Sequence, residues 1–350
     1  KLDQKVFQLT NNLNISKGDH NFTIGFSFEK FEFDNSFNLG TYGYFGFGDG
    51  YPDGKYVGAF FGDFSSMEDF RTGISSGVLA NALANAKDVF DDKNANNSWA
   101  MAETNVGQFS FYVQDEWTVN DDFKISYGIR FDKPLFFDSA EKAQEVIDFP
   151  GNYYAPDVPY VDPSTGETVF FDSTKMPNND FLISPRVGFN WDVNGDSTVQ
   201  WRGGTGLFTG RFPFVWLGNQ IGNPNIWFYQ VVDPDFKFPQ VWRTSLGLDF
   251  KLDDGTIWTS DLSYTKDING AHVQNWGLNK PTGTLGGVDN RAIYTSGDVG
   301  NSAYVFTNSD KGRTFNASFK GQKTFENGWF VMGAYNYLNS KLPINYSFYY

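Results

Sequence analysis

Apolar and polar side chains alternate most regularly between Gly107 and Asp132. The alternation runs up to a short polar turn after position 119 and resumes from Phe123 to Phe131. A period of two is typical of a strand that has one apolar face and one polar face. The stretch therefore predicts two strands joined by a tight turn, each about as long as the roughly 9 to 11 residues with which a tilted strand crosses a bilayer.

The same unit recurs along the chain, which predicts hairpins at residues 7–28, 107–132, 181–201, 242–264 and 315–337. Their connections alternate between about three to five residues and about thirty to seventy residues, as in outer-membrane barrels with short periplasmic turns and long outer loops. The segment 34–105 and the proline-containing segment after residue 132 are predicted to be mostly long loops. Nothing in a soluble β-sandwich requires all short turns to lie at one end, so this pattern argues against that fold.

The predicted fold is therefore all-β: a transmembrane antiparallel β-barrel in the outer membrane, of which about ten strands are present. No run approaches the roughly 18 apolar residues of a membrane-spanning helix. The chain contains 38 Phe, 18 Tyr and 10 Trp, yet its mean hydropathy is −0.42. Aromatic residues must then be spread among polar ones, as alternating strands would place them.

Tryptophans support the same interpretation. Five of them lie within a few residues of a short turn, where an aromatic girdle at the membrane interface is expected: Trp117, Trp191, Trp201, Trp258 and Trp329. Trp242, at the other end of its strand, is a candidate for the opposite girdle. Asp115 is the exception to the pattern, since it falls on the apolar side of its strand near the turn, where a carboxylate costs little.

Charge and composition restrict the chemistry. The formal net charge of −14 argues against nucleic acid as a partner, and the lack of cysteine removes disulfides and thiolate metal sites. Residues 73–77 match the G-x-S-x-G pattern of hydrolases, but loop glycines explain them better because no buried strand precedes them. Residues 192–196 resemble the start of a calcium loop, but a hairpin turn is the better interpretation. No catalytic residue, metal site or cofactor is predicted.

Four arginines fall on the polar side of successive predicted strands: Arg130, Arg186, Arg202 and Arg243. In a barrel they would face the lumen and contact a plug domain or an anionic substrate. The simpler alternative, which we favour, is that they pair with lumen carboxylates on the same strands. The candidate partners are Asp132, Asp192 and Asp249.

The loop from Arg211 to Tyr229 carries closely spaced aromatic residues among Gly and Asn: Phe212, Phe214, Trp216, Trp227 and Tyr229. Aromatic loops at a barrel mouth could bind a sugar, a peptide or a lipoprotein lid, because such rings offer a large contact area at low entropic cost. The alternative is that these rings pack on neighbouring loops or lie at the outer interface.

Several ordered segments resemble one family. FSFYVQDEWTVNDDFKISYGIRFD, LISPRVGFNWDVNGDSTVQWRGGTGLFTGR, FPQVWRTSLGLDFKL and SYTKDIN are similar to the barrel of TonB-dependent outer-membrane receptors. The likeness is greatest to the Oar-like group of Bacteroidota, which has a carboxypeptidase-regulatory-like N-terminal domain. The resemblance implies a barrel of about 22 strands, an N-terminal plug and a TonB box. Residues 1–350 are therefore interpreted as an internal part of one barrel domain, without the plug or the TonB box.

The resemblance also implies a function. Such receptors are not enzymes: they bind a ligand at their extracellular loops and import it with energy transmitted by TonB. The expected partners are TonB, outer-membrane lipid and a surface lipoprotein or another outer-membrane complex partner. One alternative is a barrel in a surface or secretion complex that imports nothing. Another is a soluble aromatic-rich β-protein that binds polysaccharide, which would need polar outer strand faces.

Overall fold

The computed structural model describes residues 2–35, 68, 102–148, 156–163, 165–222, 228–278, 281–294 and 302–342. Nineteen elements of the described chain are used below. In chain order they are β1 (Leu2–Lys17), β2 (His20–Asn35), β3 (Ala102–Asn120), β4 (Phe123–Leu135), α1 (Ser139–Ile147), β5 (Tyr160–Val161), β6 (Thr168–Val169), β7 (Leu182–Asp192), β8 (Val199–Thr209), α2 (Phe214–Gly222), β9 (Phe228–Val232), β10 (Gln240–Lys251), β11 (Ile257–Asp267), β12 (Gly270–Asn275), β13 (Gly283–Thr284), β14 (Ala292–Ile293), β15 (Ser302–Ser309), β16 (Arg313–Thr324) and β17 (Phe330–Lys341).

Ten long strands form one sheet in the order β1-β2-β3-β4-β7-β8-β10-β11-β16-β17, and every neighbouring pair is antiparallel. All five predicted hairpins are present, and their strands extend beyond the predicted bounds except at residue 181, where β7 begins one residue later. Their short turns all lie at one end of the sheet. Gly18 and Gly195 adopt positive φ angles of 58° and 69° in two of these turns, a conformation that suits glycine. The antiparallel all-β prediction is confirmed.

The strand register separates two faces of this sheet. Ser27, Ser110 and Asp132 lie directly opposite one another on the polar face, while Phe26, Phe111 and Phe131 form a row on the apolar face. The apolar face is exposed: relative accessibility reaches 58% at Phe7 and 64% at Tyr335. So much exposed aromatic and aliphatic surface on one side of a sheet requires an apolar solvent.

The buried core lies in the connections at the long-loop end. A second sheet contains β12, β15 and β9, with β15 and β9 parallel. Together with α1 and α2 it forms what we call the loop layer. Its two hydrophobic clusters are centred on Leu217, Phe236 and Phe238 and on Trp276 and Val305.

The prediction of mostly unstructured long connections is therefore corrected for the described residues within 136–181, 211–239 and 268–312. The segment after β4 contains α1 and the two-residue pair β5 and β6, and the segment after β8 contains α2 and β9. Apolar residues of separate loops bury one another. The sequence of any one loop does not reveal this burial. The predicted loop at 36–101 lies outside the described residues apart from residue 68. Within the described ranges, the two helices are too short to traverse a bilayer.

Candidate functional site

A polar cavity of about 110 Å³ lies on the polar face where the loop layer meets the sheet. β2 and β3 contribute side chains that lie directly opposite one another, and β4 contributes Arg130. The chain leaving β8 closes the other side. The lining residues are Ser27, Glu29, Gln108, Ser110, Arg130, Thr209, Gly210 and Arg211.

One wall of this polar cavity is an ion pair between distant segments. Nη2 of Arg211 donates to both carboxylate oxygens of Glu29 at 2.7 and 2.8 Å. Nε2 of Gln8 donates to the same carboxylate at 2.9 Å. The Arg211 guanidinium also lies 5.7 Å from the ring centroid of Phe31, a cation–π contact. Within the described part of the chain, Nε and Nη1 of Arg211 have no acceptor, so they remain available to a ligand.

The opposite wall is organised around a buried carboxylate. Asp132 is 1% exposed, and its Oδ1 accepts hydrogen bonds from Gln108 and Ser110, each at 2.7 Å. Nε of Arg130 donates to both oxygens of Asp132 at 2.9 and 3.2 Å, while its Nη2 lies 2.7 Å from Oγ of Ser110. A buried carboxylate is stable when several donors satisfy it. This network therefore holds Arg130 in one orientation, with Nη1 unbonded among the described residues.

The other predicted arginines have different surroundings. Arg202 pairs with Asp249 at 3.0 Å and with Asp261 at 2.7 Å, and Arg186 donates to Gln114 at 2.7 Å. Arg243 is exposed and has no ion pair within the described ranges.

The expected pairing with Asp132 and Asp249 is confirmed, but that with Asp192 is wrong. The Asp192 carboxylate instead accepts N–H groups of Gly195 and Ser197, since it stands at the start of a tight turn. Asp261 and Gln114 were not predicted as partners, because each lies two strands away from its arginine and only the strand register brings it into reach.

The structure of that turn also decides whether residues 192–196 form a calcium loop or a hairpin turn. Asp196 accepts the hydroxyl and the N–H of Thr198, and these bonds hold the pKa of Asp196 below its usual value. Both carboxylates are thus used to close the hairpin, which confirms the turn interpretation. No cluster of potential metal ligands occurs within the described residues. The G-x-S-x-G match at 73–77 lies outside them.

The aromatic loop residues divide by burial. Phe212 is 2% exposed and packs against Phe236, Phe238 and Phe306 at centroid distances of 5.3 to 5.7 Å. Its burial favours the packing alternative for this ring.

Two further loop rings are partly accessible. Phe214 contacts Phe31 at 5.3 Å, and Nε1 of Trp216 donates to the backbone oxygen of Val231 at 2.9 Å. Trp227 and the side chain of Tyr229 lie outside the described residues. Ligand contact by this loop stays a prediction.

The predicted girdle tryptophans lie near the short turns. Trp191 and Trp201 are directly opposite each other on β7 and β8, Trp258 is 42% exposed, and Trp329 is 70% exposed. Trp117 stacks on the ring of His20 at 5.4 Å. Trp242 lies at the opposite end of the sheet, as its sequence position requires. Their role at a membrane interface stays a prediction.

Asp115, which breaks the apolar pattern, is 3% exposed and has two partners on its own face. Its Oδ2 lies 2.7 Å from Nδ1 of His20 and 2.7 Å from the hydroxyl of Tyr127. Sequence reasoning missed both donors, although each is the residue directly opposite or diagonal to Asp115 in the register. The carboxylate is therefore tolerated on the apolar face because neighbouring strands supply its hydrogen bonds.

The polar cavity is suited to binding rather than to covalent chemistry. Its lining combines two guanidiniums with the Glu29 carboxylate, hydroxyls and an amide. Asp132, which is not part of the lining, pairs with the Arg130 guanidinium. Such a lining offers donors and acceptors side by side. A hydroxyl-bearing group can use both at once, because it donates to a carboxylate while accepting from a guanidinium.

Comparison with known proteins gives a family match and several structural likenesses. The model of the family described as outer membrane beta barrel domain matches residues 1–226. No curated protein sequence matches the chain. The structure titled copper transporter OprC has a TM-score of 0.52 and 9% sequence identity, over 97% of this chain and 38% of that one.

Two further solved structures are similar. The ferric enterobactin receptor PfeA from Pseudomonas aeruginosa gives a TM-score of 0.49 at 11% identity, over 96% of this chain and 35% of that one. The siderophore receptor PirA from Acinetobacter baumannii gives 0.47 at 11% identity, over 96% and 36%. At these identities the likeness extends to the fold alone. The chain spans well under half the length of these transporters and receptors.

Proposed function

The chain belongs to the outer membrane beta barrel domain family, and on that premise we propose that it is part of a TonB-dependent receptor that imports a ligand bound at its extracellular loops. The family match and the fold locate the chain in the outer membrane. The solved structures with a similar fold are transporters and receptors rather than enzymes. The apolar face of the sheet is the lipid-facing surface, and its short turns lie on the periplasmic side.

The polar cavity is the observation that carries the proposal. It lies between the barrel wall and the loop layer, so a ligand that passes the extracellular loops meets it on the lumen side. Arg211 and Arg130 retain unbonded N–H groups there, while Glu29 and Asp132 hold the guanidiniums in place. Preorganised polar groups in a concave site are typical of ligand binding.

The finer features of the proposal concern the whole protein. We propose that residues 1–350 are an internal part of one barrel domain, preceded by a plug and a TonB box. The Oar-like group of Bacteroidota is the proposed subfamily, on the strength of the quoted strand and turn segments. TonB is the proposed energy-transmitting partner, and a surface lipoprotein is a further proposed partner at the loops.

A complex with TonB tests the proposal. Full-length protein purified from outer membranes would be mixed with the periplasmic domain of TonB, and its intact mass would be measured in parallel. We expect a plug-sized segment before Lys1 and a complex that is lost when the TonB box is deleted. A full-length polypeptide without a plug, and without a complex, would reject import.

If import were rejected, the result would favour the alternative, a barrel in a surface or secretion complex. In that case the loop layer would hold a partner protein. Co-purified protein in stoichiometric amount, unaffected by removal of TonB, would be its signature.

A further inference from the structure

Three cations form a row on the apolar face at the long-loop end of the sheet. Lys266 of β11 lies directly opposite Arg313 of β16, and Arg313 lies directly opposite Lys341 of β17. Residues directly opposite in an antiparallel pair share a face, with Cβ atoms about 4.5 to 5.5 Å apart. The three positive charges therefore lie side by side across three neighbouring strands.

Among the described residues, this row lacks the partners that a structural role would supply. All three side chains are exposed, and within the described ranges none forms an ion pair or a side-chain hydrogen bond. Like charges directly opposite one another destabilise a sheet. The chain as a whole carries a net charge of −14. A row of three cations is therefore not expected from the overall composition. A ligand that removes their repulsion would stabilise the fold.

Aromatic rings lie immediately below the cations, toward the middle of the sheet. Tyr264 and Phe315 are directly opposite each other one step down from Lys266 and Arg313, and Tyr337 follows on β17. These rings and two of the cations border a cavity of about 250 Å³, lined by Tyr264, Arg313, Phe315, Tyr337, Asn339 and Lys341. Lys266 lies directly opposite Arg313, next to this cavity. The site thus combines positive charge at its upper rim with an apolar floor.

The position of this site in the membrane follows from two observations. Its face is the exposed apolar face, which contacts lipid in an outer-membrane barrel, and its end of the sheet is the long-loop end, which faces outward. Trp242 lies directly opposite Lys266 in the same row, at 41% exposure. Tryptophan prefers the level of the headgroups, so the cations lie at the headgroup level of the outer leaflet.

We propose that Lys266, Arg313 and Lys341 bind the phosphate groups of a phosphorylated glycolipid in the outer leaflet, while Tyr264, Phe315 and Tyr337 contact its sugar and acyl portions. Arginine and lysine bind phosphate through charge-assisted hydrogen bonds. The aromatic floor distinguishes a lipid from free phosphate, which has no apolar part to place there. The site is separate from the transport route, because it lies on the opposite face of the sheet.

Native mass spectrometry of the full-length protein in phosphatidylethanolamine nanodiscs tests this. The probes are diphosphorylated lipid A, the same lipid A with both phosphates removed, and inorganic phosphate. We expect diphosphorylated lipid A to bind, and the triple variant K266Q/R313Q/K341Q to lose roughly tenfold or more in affinity. A control variant, K124Q/K251Q/K320Q, removes the same charge elsewhere and should bind as the wild type does.

Each other result would overturn the proposal. Equal binding by the triple variant would show that the cations do not hold the lipid, and equal binding of the dephosphorylated lipid would show that phosphate is not recognised. Competition by inorganic phosphate at the lipid's own concentration would replace the lipid by free phosphate as the ligand. If the triple variant does not fold, the single variant R313Q and the charge-preserving variant K266R/K341R give the same comparison, with loss expected for the first and retention for the second.

Discussion

Nη2 of Arg211 lies 2.7 and 2.8 Å from the two carboxylate oxygens of Glu29, a residue 182 positions earlier in the chain. This contact joins the first hairpin to the connection between β8 and α2. It also sets one wall of the polar cavity. The Glu29 side chain is 10% exposed and that of Arg211 is 62% exposed, so the pair lies at the boundary between buried and solvated surroundings.

We expect Arg211→Gln to lower the free energy of unfolding only slightly. Gln8 still donates to Glu29 in this variant, and a partly exposed ion pair contributes only about 0.2 to 1 kcal/mol. Urea unfolding from lipid vesicles would measure the free energy of unfolding, with Glu29→Gln and the double variant completing a cycle. A coupling energy indistinguishable from zero would mean that the contact does not hold the two segments together.

Phe212→Ala should destabilise the loop layer strongly. The ring is almost fully buried among three other phenylalanines, and removing a buried phenylalanine costs about 3 to 5 kcal/mol. Hydrogen exchange of α2 and β9 would report the loss. Val215→Ala is the control, because Val215 lies on α2, close to Phe212 in the sequence, and is 65% exposed. Unchanged exchange in Phe212→Ala would contradict the packing interpretation and favour ligand contact.

Gly247→Ala should disturb the arginine network on the polar face. A Cβ at this position would lie 2.7 Å from Nη1 of Arg202 and 2.9 Å from Oδ1 of Asp261. We expect a loss of about 1 to 3 kcal/mol, typical of overpacking. Gly333→Ala, whose Cβ would meet no atom within 4 Å, should leave the free energy of unfolding unchanged or slightly higher. Equal effects of the two substitutions would argue against steric exclusion by Arg202.

Tyr127→Phe should lower the free energy of unfolding, because Asp115 loses a hydrogen-bond donor. The substitution removes one of the two donors to a carboxylate whose Oδ1 already has no partner among the described residues. A hydrogen bond to a charged group contributes about 1.5 to 3 kcal/mol. Tyr127→Phe in an Asp115→Leu background should have almost no effect on unfolding, because the acceptor is gone. A full effect in that background would show that the tyrosine hydroxyl acts through another group.

The Asp254 carboxylate should make the free energy of unfolding decrease at low pH. Nζ of Lys323 at 2.8 Å, with further hydrogen bonds from Thr256, holds the pKa of Asp254 well below its usual value of 3.8. A pKa that folding lowers contributes stability above the unfolded-state pKa, and this stability disappears as the pH falls through the folded-state pKa. Unfolding midpoints measured below about pH 4 should therefore fall less in Asp254→Asn than in the wild type. Lys323→Gln should behave similarly, and parallel curves for all three proteins would refute the assignment.

Local pattern was enough to predict the strands, their short turns and the two faces of the sheet. A period of two specifies which side chains share a face, and both strands of each hairpin lie close together in the sequence. The pairing of Arg130 with Asp132, two residues apart on one strand, could be predicted for the same reason. The tight turns at Gly18 and Gly195 also depend on residues next to them.

The contacts of the loop layer and the cavity walls depend on which distant segments meet. Phe212 is an aromatic loop residue in the sequence, and it becomes core because Phe236, Phe238 and Phe306 surround it in space. Arg211 reaches Glu29 across the polar face, and β9 pairs in parallel with β15 more than seventy residues later. Alternation carries no information about such partners, because hydrophobic burial is non-directional and rewards any apolar segment that the fold brings near. Tertiary structure therefore decided where the core lies and which polar groups line the cavity.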